Sequence, residues 1–289
     1  MAIHYYDEFP SRFSSRNFGD DLNPFLLGQL FSSSVLASKE VCILGVGSIL
    51  NRRNAELVGS YRNKVVFSSG AGYGEFATDL DDSWEFACVR GPHTAKAMGL
   101  AESSGICDGA VLLSDYYKPK PVRQRRGIVF IPHIKTHFAT GRVLADISSE
   151  LGWRYLTPDK AMEDFIDGVR SASLVVTEAM HGAILADTMR VPWIPIAMHQ
   201  HNEFKWRDWL SSIEQPYTCS FIKPSLWNPS GKSIKSGLKK PYQCWKMKQV
   251  KRNLLSLQSK MEILSKDDVL ERHKLRLKEK VAFINQKYS

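Results

Sequence analysis

Short apolar runs, each bounded by Gly, Pro or polar clusters, recur through the first three quarters of the chain. They fall at Ile3–Tyr6, Val41–Leu44, Val65–Ser68, Phe86–Val89 and Ala110–Leu113, then at Ile128–Ile131, Arg154–Leu156, Leu174–Thr177 and Trp193–Ile196. Several are apolar at consecutive positions, as strands buried on both faces of a parallel sheet require. Between them, Asn23–Ser34, His93–Met98, Gly141–Leu151 and Gly182–Met189 have helical spacing. Strand and helix patterns in alternation predict an α/β fold with parallel sheets and right-handed crossovers.

The run DYYKPKPVRQRR, Asp115–Arg126, interrupts the alternation with two prolines and five basic residues. Such a run reads as an exposed linker. It predicts one α/β unit over residues 1–118 and a second over 119–223; a long surface loop in one continuous sheet is the alternative. From about Pro224 strand signals vanish, and residues 224–289 are expected to form a mainly helical extension. Leu254, Leu255, Leu257, Met261, Ile263 and Leu264 offer it a loose apolar face.

Charge sets this last segment apart. The chain carries a formal +9, yet Ser230–Ser289 holds sixteen Lys and Arg against five Asp and Glu, a net +11. The remainder is therefore close to neutral, at −2, and only the tail is strongly basic. Five scattered cysteines with no CxxC pair suggest a reducing compartment. The N-terminus lacks the layout of a signal peptide, and no apolar run is long enough to span a bilayer. A cytoplasmic chain is expected.

Candidate chemistry gathers where strands give way to helices. In RNFGDDLNP, Arg16–Pro24, Gly19 permits a tight turn, and Asp20 or Asp21 can cap the helix that Pro24 helps to begin. The paired aspartates beside Asn17 also suit a polar ligand at a sheet's carboxyl edge. The stretches GVGSIL, with Gly47, and SSGAGYGE, with Gly70 and Gly72, could let an anion approach backbone N–H groups. Neither fits the dinucleotide or Walker pattern, and ordinary turns explain either one alone. Arg90 ends an apolar strand in VRGPHTAKAMG, where its planar fork suits a carboxylate or phosphate; a surface arginine is the competing reading.

His181 follows the strand Leu174–Thr177 and leads into GAILADTM. A helix N-terminus favours anions and disfavours imidazolium, so this histidine suits proton transfer beside a bound phosphate. Gly182 leaves room for a ligand near the backbone. Beyond the last strand, HQHNEFKWRDWL brings Lys205, a candidate for an acidic group, and Trp206, a candidate flat face for a sugar ring. No HExxH or carboxylate-flanked histidine set supports a metal, and no GxSxG elbow supports a serine hydrolase.

In this order, RNFGDDLNP, GVGSIL, SSGAG, VRGPHTA, CDGAVLL and TEAMHGAILAD resemble the polysaccharide pyruvyl transferase family, in particular exopolysaccharide ketal enzymes such as those of succinoglycan and xanthan. The resemblance covers roughly Ile3–Leu210. It implies two Rossmann-like domains facing a cleft, as in GT-B glycosyltransferases. It also implies phosphoenolpyruvate as donor and co-substrate, no other cofactor, and a hexose acceptor in a polymer or lipid-linked oligosaccharide. The family aspartate, arginine and histidine fall on Asp20, Arg90 and His181, with Asn17, Gly19, Gly47, Gly70, Gly72, Gly182 and Lys205 toward the donor. Asp21 and Trp206 are assigned toward the acceptor. Many members carry Arg-Leu or Ser-Leu before the histidine, whereas this chain has Ala179-Met180, which shifts more of the donor's charge to Arg90 and Lys205.

Two rival readings share these features. A GT-B glycosyltransferase using a nucleotide sugar needs the same scaffold. A nucleic-acid-binding protein would use the basic tail, though the tail has no recognised nucleic-acid motif. That tail also suits an anionic membrane surface, which would place the chain peripherally at the inner face of the cell membrane.

Overall fold

A computed structural model describes residues 3–5, 17–76, 79–199, 201–226 and 239–289. In chain order, β1 (Ile3–His4) precedes α1 (Phe18–Leu30), α2 (Ser33–Ala37), β2 (Val41–Leu44) and α3 (Arg52–Leu57). Next come β3 (Asn63–Ser69), β4 (Trp84–Val89), α4 (Pro92–Ala97), β5 (Ile128–Ile131), α5 (Ile134–Glu150) and β6 (Arg154–Tyr155). Then follow α6 (Met162–Arg170), β7 (Leu174–Thr177), α7 (Met180–Thr188), β8 (Trp193–Ala197) and α8 (Glu203–Ser212). The last elements are β9 (Ser220–Phe221), α9 (Lys239–Leu255) and α10 (Asp267–Tyr288). Tyr6, the expected end of the first strand, and Arg16 lie outside the described residues.

The chain forms two compact units. One comprises residues 1–118, 202–217 and 265–289, the other 119–201 and 218–264. Residues 224–289 are thus not one extension: α9 belongs to the second unit and α10 to the first.

The first unit holds a parallel four-stranded sheet in the order β1-β2-β3-β4. Its central runs, VCIL and KVVFSS, are buried along almost their whole length, which explains their unbroken apolar character. Cys42 lies on β2 and Cys88 on β4, and burial pushes both thiols up to about 12. The second unit holds a parallel five-stranded sheet in the order β6-β5-β7-β8-β9. Strand order reverses between β5 and β7, the position where open α/β sheets present their ligand crevice. Phe130, Val176, Ile194 and Ile196 from this sheet pack with Leu144 and Ile147 of α5 and with Val250 and Leu254 of α9. Each such side chain contributes about 1.5–3 kcal/mol on burial.

Three local expectations are corrected. Ala110–Leu113 is no strand but part of a 3-10 helix, Gly109–Asp115, begun by the Asp108 carboxylate accepting from the Ala110 N–H at 3.0 Å. Helix α1 starts at Phe18 with Asn17 as N-cap, so Asp20 and Asp21 lie in its first turn rather than capping it. Pro24 sits inside that helix and has no N–H to give the Asp20 carbonyl. Asn23 compensates: its Nδ2 donates to the Asp20 carbonyl at 3.2 Å and to the Val46 carbonyl at 2.9 Å.

Candidate functional site

At the carboxyl edge of the first sheet, two loops are laced together. Gly70 N–H donates to the Gly47 carbonyl at 2.8 Å, and Leu50 N–H donates to the Gly70 carbonyl at 3.2 Å. Gly47 has φ +138, outside the range that side chains readily adopt. Just before the second loop, Ser68 adopts the left-handed region at φ 66, and its hydroxyl donates to the Cys107 carbonyl at 2.5 Å. A left-handed serine costs of order 1 kcal/mol, which the surrounding packing must hold.

Arg90 fixes these loops. Its side chain is 0% exposed and donates from Nε to Asp208 Oδ2 at 2.9 Å, from Nη1 to Ser48 Oγ at 2.6 Å and from Nη2 to the Ala71 carbonyl at 2.7 Å. Asp208 also accepts from the Thr94 N–H at 2.8 Å and the Thr94 hydroxyl at 2.6 Å. The expected open fork for a donor anion is therefore corrected: the guanidinium is engaged inside the protein. Gly70 is explained by the same contact, since a Cβ there would fall 2.2 Å from Arg90 Cζ. Asp108, also fully buried, lies near this pair. Burial pushes its carboxyl up to about 6, opposed by the Ala110 N–H and by the Arg90 charge.

Asp20 lies in the same unit and is less fully enclosed than Arg90. It is half-buried in the first turn of α1 and accepts from Asn17 Nδ2 at 2.5 Å. Burial, the largest cause, pushes its carboxyl up to about 7 against the Asn17 hydrogen bond; Asp21 adds to the rise and Lys205 opposes it. Lys205 donates from Nζ to the Tyr73 hydroxyl at 2.9 Å, and Asn202, the N-cap of α8, donates from Nδ2 to the Gly72 carbonyl. A carboxyl that titrates near neutrality beside a lysine can exchange a proton with a bound hydroxyl at ordinary pH.

Trp206 does not offer the expected flat face. It is 1% exposed and packs edge-to-face against Trp209, with ring centroids 6.3 Å apart. Tyr73, 47% exposed and held by Lys205, is the open aromatic ring in this region. No hydropathy pattern marks it, because it lies in a glycine-rich turn.

In the second unit, His181 is the second residue of α7, directly after β7 and at the strand-order reversal. It is half-buried. Gly182 serves packing rather than ligand space, since a Cβ there would lie 2.7 Å from Thr177 Oγ1. Glu178, the residue directly after β7 and one that no motif marks, binds the loops of this edge. Its carboxylate accepts from the N–H groups of His133, Met198 and His199 at 3.0, 3.1 and 3.3 Å. Asp20, Asn17, Gly19, Asp21, Gly47, Gly70, Gly72, Arg90, Lys205 and Trp206 thus belong to the first unit, and His181 and Gly182 to the second.

Comparison with known proteins places this arrangement. The model of the polysaccharide pyruvyl transferase family matches residues 4–200. Succinoglycan biosynthesis protein ExoV of Rhizobium meliloti (strain 1021) is 37% identical over 204 residues, covering 70% of this chain. The chain spans only 63% of that relative's length. Among solved structures, the Escherichia coli RcsC C-terminus with its phosphoreceiver domain aligns over 80% of this chain and 92% of its own. At 14% identity and a TM-score of 0.22, that likeness carries no argument. The family match runs from β1 past the end of β8 and takes in Asp20, Arg90 and His181, so the chain belongs to the polysaccharide pyruvyl transferase family.

Proposed function

We propose that the protein transfers the pyruvyl group of phosphoenolpyruvate to two hydroxyls of one hexose in a saccharide, forming a ketal and releasing phosphate. Besides family membership, the observation that carries this reading is Asp20, a half-buried carboxyl with its pKa pushed up to about 7 beside Lys205. In the first step an acceptor hydroxyl adds to the enol carbon, Asp20 takes its proton, and His181 protonates the methylene to a methyl group. In the second step another hydroxyl of the same sugar displaces phosphate, which leaves with the remaining proton. Lys205 attracts the donor's negative charge, and Tyr73 gives the sugar a ring face. Arg90 acts through the loops it fixes rather than by touching the donor. In this reading, the two parallel-sheet units are the Rossmann-like halves of a GT-B-like enzyme, consistent with the strand order in each.

The test is phosphate release from phosphoenolpyruvate with a panel of saccharides, followed by mass spectrometry of the products. Acceptor-dependent release that is lost in His181→Ala is the expected outcome. Thermal stabilisation by a nucleotide sugar, with none by phosphoenolpyruvate and no phosphate release, would replace this reading with a glycosyltransferase.

A further inference from the structure

Helix α9 is anchored by one face and presents another. Val250 and Leu254 are buried in the second unit's core, with Met247 packed against it. Away from that face, Tyr242 and Trp245 are 42% and 49% exposed, and their rings stack at 5.8 Å with an interplanar angle of 16°. Spacings of three, four and seven residues place Trp245, Lys248, Arg252 and Leu255 on a common outward face, and all four are exposed. No Asp or Glu occurs between Lys239 and Leu255.

The cations of this helix divide into two kinds. Lys246 turns inward, donating to the Ser225 carbonyl at 2.8 Å with its Nζ 5.1 Å from the Tyr242 ring centroid, and Lys251 pairs with Glu150 at 2.6 Å. Among the described residues, Lys248 and Arg252 form no ion pair. Two exposed aromatic rings and an exposed leucine, on a helix that supplies such cations and no carboxylate of its own, with the neighbouring Glu150 already paired to Lys251, complement a surface that is negative outside and apolar beneath. Trp and Tyr favour the headgroup level of a bilayer, and Lys and Arg favour its anionic lipids.

We propose that the outward face of α9 docks on an anionic lipid bilayer, with Trp245 and Tyr242 entering the headgroup region. A single-stranded nucleic acid fits this face less well. The two rings stack on each other and leave no slot for a base, and Leu255 adds an aliphatic contact that base stacking does not use.

Co-sedimentation of the full chain with vesicles of phosphatidylglycerol and phosphatidylcholine, against phosphatidylcholine alone, tests the proposal. Binding to the anionic vesicles only, weakened by salt, is expected. Each cation at such a surface is worth about fivefold in partitioning, so Lys248→Gln with Arg252→Gln should lower it about thirtyfold. Trp245→Ala should weaken binding while leaving its salt dependence in place. These side chains are exposed, and an unchanged circular dichroism spectrum would show that the variants remain folded. Failure of the folded wild-type chain to bind anionic vesicles would overturn the proposal, as would equal binding by the cation variants. So would a single-stranded RNA oligonucleotide that binds in place of vesicles and is released by the same substitutions.

Discussion

The two sheet edges solve one problem with opposite charges. In each, the residue immediately after a strand is a buried ionisable group that ties neighbouring loops together. Arg90 follows β4 and Glu178 follows β7. The carboxylate of Glu178 is met by backbone N–H groups of His133, Met198 and His199, donors that loops at strand ends supply in any sequence. The guanidinium of Arg90 needs acceptors and a counter-charge, and it takes them from Ser48, Ala71 and Asp208. A buried anion can thus be satisfied by main chain alone, whereas this buried cation depends on a side chain from a distant helix. The first edge is accordingly the more vulnerable to single substitutions.

Breaking that dependence should give the largest effect. Asp208→Ala leaves a buried guanidinium without its counter-charge and should cost about 3–5 kcal/mol in denaturant unfolding of the full chain. The double substitution Arg90→Met with Asp208→Leu should recover much of that loss, because removing both charges also removes the desolvation penalty. A cost for Asp208→Ala below about 1 kcal/mol would show that the network does not hold the edge. At the second edge, Glu178→Gln keeps an acceptor and should cost less, about 1–3 kcal/mol. Faster hydrogen exchange at the amides of His133, Met198 and His199, with first-unit amides unchanged, would locate the damage.

At Asp20 the sign of the effect on stability is set by pH. Its carboxyl titrates at about 7 in the folded chain against an ordinary 3.8, so between these values the folded state holds a proton that the unfolded state has released. Stability therefore falls as pH rises from about 4 to about 7 and stays reduced above. Asp20→Asn should flatten that slope and be the more stable protein at pH 8, as thermal unfolding across pH would show. If the protein carries out the proposed pyruvyl transfer, the same substitution should remove the limb of its kcat/KM that rises through pH 7. A wild-type stability curve flat between pH 4 and 7 would contradict the assigned titration.

Most of this architecture can be read from local pattern. VCIL, IVFI and LVVT are strands because consecutive apolar residues suit a sheet covered on both faces. The run AVLL has the same composition and folds as a 3-10 helix, because Asp108 caps it; periodicity cannot separate the two. The two-residue β9, Ser220–Phe221, carries no apolar run to detect. Asp20 and His181 stand in the first turns of α1 and α7, and helix starts of this kind are marked by local sequence. The burial of Arg90 is not so marked, since its partner lies 118 residues away and only the folded topology joins them. Nor could the tail's two roles be told apart. Along α10, Lys274 and Lys278 pair with Asp115 and Lys287 pairs with Glu85, whereas α9 keeps cations on its outward face.

The discontinuous make-up of the first unit bears on the order in which the protein can be built. Chains ordinarily fold from the N-terminus as they leave the ribosome. Here residues 1–118 emerge without α8 and α10, and Arg90 must wait until residue 208 is synthesised before it can be buried beside a carboxylate. By then residues 119–201, most of the second unit, have already been made. Of the two units, the one begun earlier is therefore completed later. Until α8 arrives, an uncompensated arginine and a glycine-rich edge stand open to chaperones and proteases.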